Sequence, residues 1–122
     1  VFKLFVAVAV GGALGAAARY GASLIWPEPA GRFPWTTFGV NVLGSFALGL
    51  VIATLGHSAM ARAFLGTGVL GGFTTFSTFA WQAEHLLRQD QAGLAFAYLA
   101  GSVLSGLFAA WLGLRAGTLL TE

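Results

Sequence analysis

An all-α integral membrane fold with four spans is predicted by three observations. Charged residues make up only 8% of the 122 and hydrophobic residues 57%, far from the roughly 25% charged composition of a soluble domain. The apolar stretches are continuous and lack the alternating period of barrel strands. The chain also carries 18 glycines, and small residues let membrane helices approach backbone to backbone where no hydrophobic force draws them together.

The spans cover about Phe2 to Ile25, Thr36 to Leu55, Ala63 to Leu87 and Ala92 to Leu114, each near or above the roughly 20 residues needed to cross a bilayer. Lys3 and Ala16-Ala17-Ala18 give the first span a loose likeness to a secretory signal. The following hundred residues are equally apolar, so it belongs more simply to the bundle. The chain opens at Val1 and its one methionine is internal, so a start residue is expected upstream. The first joint, Trp26 to Trp35, holds all three prolines and two tryptophans suited to an interfacial belt. The second runs from Gly56 to Arg62 and the third from Arg88 to Gln91. No joint could hold a soluble domain, and no repeat is evident, so residues 1–122 read as a single four-helix transmembrane domain.

Four spans place both termini on one side, with Lys3, Arg62 and Arg115 facing that side and Arg19, Arg32 and Arg88 the other. This balance gives the positive-inside rule nothing to act on. Such a chain can insert in both orientations, and opposite copies can then pair as an antiparallel dual-topology homodimer; the alternative is that a partner or a segment before Val1 selects one orientation. Four helices also make a thin bundle with little interior, which favours an oligomer. Small-xxx-small spacings at Gly11 and Gly15, Ser45 and Gly49, Ser102 and Gly106, and Gly113 and Gly117 support close helix contact without identifying an interface.

The chemistry concentrates in Gly71-Gly72-Phe73-Thr74-Thr75-Phe76-Ser77-Thr78-Phe79, where glycines and hydroxyls interrupt the third span. In hydrocarbon such a cluster is tolerated only where it is buried in protein or lines a wet path. Two readings stay open. The helix breaks near Gly71 and Gly72, freeing carbonyls that can coordinate a cation, or it stays intact with threonine hydroxyls bonded to carbonyls four residues back. Phe76 and Phe79 share a helix face, where they either pack against lipid or the core or use their positive ring edges to attract a small anion. Asn41 in the second span offers two amide donors to an anion or bridges to another helix, and Ser102 and Ser105 in the fourth could extend a polar track or bond to their own backbone. Arg19 lies roughly 22 Å beyond Leu4 at 1.5 Å per residue, where it can snorkel or concentrate anions at a vestibule. Glu84 can snorkel or join a proton site.

Several classes are excluded. Without cysteine there is no disulfide or thiolate metal site. His57 and His85 lack metal-ligand spacing, no nucleophile and base pair or phosphate loop suggests an enzyme, and no basic patch suggests nucleic acid.

Gly12 to Tyr20, the Thr37 to Gly44 segment around Asn41, and above all Gly71 to Phe79, within four spans, resemble the Fluc (CrcB) fluoride channels. The resemblance implies a fluoride-selective passive channel of the inner (plasma) membrane, built as an antiparallel homodimer with two pores and a structural sodium ion on its axis. By the same resemblance Phe76 and Phe79 look like the pore phenylalanines and Asn41 like the pore asparagine. Gly71 and Thr74 match positions whose backbone carbonyls hold the sodium, Arg19 the vestibule arginine, and Thr78, Tyr98 and Ser102 parts of the polar track. Two positions depart from the pattern: Gln82 stands where many relatives carry glutamate, with Glu84 two residues on, and Gly106 replaces a serine four residues after Ser102. The alternative is a proton-coupled exporter similar to the small multidrug resistance transporters. Those depend on a carboxylate deep in the first helix, and this first helix has none.

Overall fold

The computed structural model describes residues 1–122. Helix α1 spans Phe2–Ile25 and stops where Trp26 precedes Pro27, since the residue before a proline is disfavoured in helical conformation. Helix α2 spans Trp35–Leu55, entered through Pro34. The third span starts at Ala59–Ala61, capped by the Ser58 hydroxyl, which accepts from the Ala61 N–H at 3.1 Å. It widens into a π-helical stretch at Arg62–Leu70 and closes with Gly71–Phe73. We call this continuous run α3. The span resumes as α4, Phe76–Arg88, and the last helix, α5, covers Ala92–Thr121. The chain is therefore all-helical, with the third of its four spans broken. Three helices, α1, α2 and α5, are each long and apolar enough to cross a membrane.

Two seams organise the bundle. α1 lies along α3, and α2 lies along α5. In both, glycines let backbones touch. A methyl group at Gly15 would sit 2.8 Å from the Phe73 nitrogen, and one at Gly72 would sit 2.5 Å from the Gly12 carbonyl oxygen. In the second seam a methyl at Gly49 would lie 2.8 Å from the Leu114 nitrogen, and one at Gly113 would lie 3.0 Å from the Leu50 nitrogen. Contacts this close leave no room for any side chain.

The second seam also explains why α5 outruns its predicted end at Leu114. Gly117 packs against Ala53 and Leu50 of α2, so the interface continues past Arg115. That arginine lies over the Trp111 ring, 5.9 Å from its centroid, and so reads as a stop signal without acting as one.

A small core forms where α4 meets α5, from Phe79, Ala83, Leu86, Ala95 and Tyr98. Phe33 in the first joint folds down onto it, 5.3 Å from the Tyr98 ring. Only 17 of the 122 residues are buried, so most of the apolar surface faces outward, as hydrocarbon surroundings permit.

Candidate functional site

The interruption falls at Thr74 and Thr75. Thr74 is extended (φ −81°, ψ 157°), as is Thr75 (φ −147°, ψ 119°). The glycines just before them, where one of the two readings placed the break, are helical. Gly72 serves close packing against α1, and the backbone turns where side chains are present to compensate for it. The hydroxyl behaviour expected of an intact helix also occurs, because Thr74 Oγ1 donates to the Leu70 carbonyl at 2.9 Å.

A broken helix leaves N–H and C=O groups without partners, at a cost of several kcal/mol each in hydrocarbon. Asn41 answers two of them at once. Its Nδ2 donates to the Thr75 carbonyl at 3.0 Å and its Oδ1 accepts from the Thr75 N–H at 2.8 Å. Asn41 is thus a splint across the break, with one amide hydrogen to spare. Ser45 Oγ donates to the Asn41 carbonyl at 2.7 Å on the same face of α2. Thr75 also caps α4, its Oγ1 accepting from the Thr78 N–H at 3.2 Å and lying 3.0 Å from Thr78 Oγ1.

These substitutions redirect donors. A continuous helix would give the Thr75 N–H to Gly71 and the Thr78 N–H to Thr74. Here they go to Asn41 and to the Thr75 hydroxyl. The Gly71 and Thr74 carbonyls therefore lose their helical donors. The Gly72 carbonyl, exposed by the same break, accepts from Arg19 Nε at 3.2 Å. A guanidinium at a helix C-terminus is favoured by the helix dipole, so this half-buried arginine is anchored at the break rather than snorkelling.

Two hollows flank the break and share Thr75. The larger, about 320 Å³, is a groove lined by Asn41, Thr74, Phe76, Phe79 and Ser102 together with Gly71. Ser102 Oγ is buried there without a hydrogen-bond partner. The smaller, about 180 Å³, is lined by Arg19, Ser23, Glu28, Thr37 and Thr78. Phe79 is 7% exposed, its ring edge-on to Phe76 at 5.8 Å, whereas Phe76 is 78% exposed and projects from the chain.

Tyr98 lines neither hollow. It is completely buried, and its hydroxyl donates to Gln82 Oε1 at 2.7 Å. Glu84 pairs with Arg88 at 2.7 Å on the exposed face of α4, away from the break. Sequence reasoning passed over Glu28. From the first joint it accepts from the Thr37 N–H at 2.8 Å, the Thr37 hydroxyl at 3.0 Å and Gln82 Nε2 at 3.1 Å. Its one signal was being the sole acid ahead of the second span.

Comparison with known proteins gives a consistent result. The family described as "CrcB-like protein, Camphor Resistance (CrcB)" matches residues 6–114. A Streptomyces coelicolor protein named "Fluoride-specific ion channel FluC 1" is 53% identical over 109 residues, 86% of this chain and 71% of that one. One from Thermus thermophilus, named "Fluoride-specific ion channel FluC", is 45% identical over 117 residues, covering 93% and 94%. Another of that name, from Chlorobium phaeobacteroides, is 46% identical over 113 residues, covering 89% and 88%.

Proposed function

The chain belongs to the CrcB-like family, and from that premise we propose that it is a fluoride-selective channel that passes the anion passively out of the cytoplasm. It is a multi-pass membrane protein, and fluoride is the ion it carries. The observation that carries the reading is the groove beside the break, which joins a spare Asn41 amide hydrogen, the unpartnered Ser102 hydroxyl and the rings of Phe76 and Phe79. Fluoride is small and strongly hydrated, so these donors and positive ring edges would have to replace its water. Arg19 in the adjoining hollow would raise the local anion concentration. Thr78 lines that hollow and extends the polar surface toward Arg19. Tyr98 acts from behind, by holding Phe79.

The functional unit on this reading is an antiparallel pair of chains. The exposed Phe76 ring leaves the groove open on one side, where a second copy would complete the wall. The redirected Gly71 and Thr74 carbonyls fit a structural sodium ion at the pair's axis, since they are neutral, preorganised oxygen donors. One chain supplies too few of them, so a second copy would complete the set. Sodium there would fix the two breaks against each other.

Purified protein in liposomes, loaded with fluoride or chloride and assayed for efflux, tests the function. Fluoride should leave without a proton gradient while chloride is retained. Efflux that requires a proton gradient would favour the exporter. The pairing is tested by adding lysines beside Asp90 to bias insertion. That variant alone should lose activity and regain it with an oppositely biased copy, and full activity alone would exclude the inverted pair.

A further inference from the structure

The proline-rich joint reaches the ion path through a chain of directional contacts that begins at Glu28. A carboxylate only accepts, so Gln82 must turn its amide nitrogen toward Glu28, 3.1 Å away. Its amide oxygen then faces the other way and receives the Tyr98 hydroxyl at 2.7 Å. Tyr98 has no exposed surface. Its ring stands edge-on to Phe79 at 5.0 Å, at an interplanar angle of 69°. Phe79 meets Phe76 in the same way. The joint is pinned a second time, where Gln91 Nε2 donates to the Gly31 carbonyl at 2.9 Å.

We propose that Glu28 is a positioning residue for the ion path: the one negative charge on the Glu28 and Gln82 pair sets the direction of the Gln82 amide, hence the Tyr98 hydroxyl, hence the ring edge that Phe79 presents. The inference rests on the channel reading above. The sensitive quantity is the number of carboxylates at the pair. With none, two facing amides have no fixed direction, and the Thr37 N–H loses a charged acceptor. With two, like charges face each other across one half-buried hydrogen-bond distance and repel. With one, at either position, every partner is kept. When the two side chains are exchanged, the amide nitrogen at position 28 donates to the carboxylate at position 82, which still accepts from Tyr98. The amide oxygen at position 28 then takes the Thr37 N–H, and the Thr37 hydroxyl, which in the wild type donates to the oxygen that Gln82 also uses, turns to accept the second hydrogen of the amide nitrogen.

Other ionisable groups surround the pair. Arg19 and Tyr20 of α1 line the 180 Å³ hollow with Glu28, Arg32 and His85 line a smaller one on its other side, and Tyr98 stands behind Gln82. None of them supplies a second carboxylate.

The test measures fluoride efflux from proteoliposomes for wild type, Glu28→Gln, Gln82→Glu and the exchange of both, with protein-free vesicles subtracting leakage of neutral hydrogen fluoride. Each single variant should lose about tenfold or more at neutral pH, and the exchange should recover to within about threefold of wild type. Gln82→Glu should also recover as the pH is lowered toward about 5.5, because one proton shared by the two carboxylates recreates the missing donor, while wild type and the exchange, with a single carboxylate at the pair, should show no such recovery. A purely structural role would give no such pH profile. If wild type conducts but the exchange is no better than Gln82→Glu, or if Gln82→Glu shows no acid recovery, the proposal is overturned alone. A wild type that passes no fluoride overturns the channel reading and the proposal with it.

Discussion

Helix α3 meets α1 through Gly15, Gly68 and Gly72, backbone against backbone, whereas α4, beyond the break in the same span, is held by the side chains of Phe79, Ala83 and Leu86 and by the Glu28 network. The first half is vulnerable to added atoms and the second to removed ones. Between them, Asn41 replaces the backbone bonds that neither half can make. A seam of glycines fixes where the break lies relative to α1 and Arg19, while the packed half holds the rings at set angles.

Gly15→Ala should have the largest effect, because the new methyl meets the backbone of Val69 and Phe73, which cannot rotate away. A loss of about 3 kcal/mol or more is expected, read as a large fall in melting temperature or loss of monodisperse protein in detergent. Gly12→Ala, nearby on the same helix and with nothing within 4 Å, should leave the melting temperature unchanged or raise it. Equal behaviour of the two variants would mean that the glycine seam does not hold α3 against α1.

Next comes Asn41→Asp. It keeps the acceptor for the Thr75 N–H but faces a carboxylate oxygen against the Thr75 carbonyl, where Nδ2 now donates at 3.0 Å. About 2–4 kcal/mol of local stability should go, and fluoride efflux with it. Asn41→Ser should fare better than the aspartate in efflux, since it keeps a donor and adds no charge. An aspartate that conducts as well as the serine would remove Asn41 from the path.

Phe79→Ile and Phe76→Ile sharpen the contrast between packing and function. Phe79 is buried between Tyr98 and Phe76, so its replacement should cost about 1–2 kcal/mol in stability as well as flux. Phe76 is exposed in the chain, so its replacement should stay within about 0.5 kcal/mol in the stability of the isolated chain while flux falls. Wild-type flux from both would make the rings packing residues only.

The smallest stability effect is expected for Ser102→Ala. Its hydroxyl is buried with no partner, so removing it should leave the fold unchanged or slightly firmer. Efflux should nevertheless fall a few-fold, and an unchanged efflux would place the ion elsewhere in the groove.

Membrane residence, the all-helical fold and the segment in which the third span is interrupted were legible in the sequence because they depend on local composition and length. A run of some twenty apolar residues is a span whatever surrounds it, and Gly71 to Phe79 is too polar for a lipid-facing helix. Helix ends were less legible where packing overrode a local signal, as when Gly117 carried α5 past Arg115.

The position of the break belonged to tertiary structure. Local preference pointed to Gly71 and Gly72 as the place for a break, with an unbroken helix as the other reading. The choice fell to Thr75 because Asn41, 34 residues earlier in the chain, stands opposite with one donor and one acceptor. Glu28 was invisible for the same reason. As a joint residue it has no local pattern, and its role arises only when Thr37 and Gln82, 9 and 54 residues away, converge on one carboxylate. Composition determines which groups must be satisfied in hydrocarbon. Which distant partner satisfies each is decided by how the helices pack, since a hydrogen bond requires its two atoms within about 3 Å and sequence spacing cannot specify that.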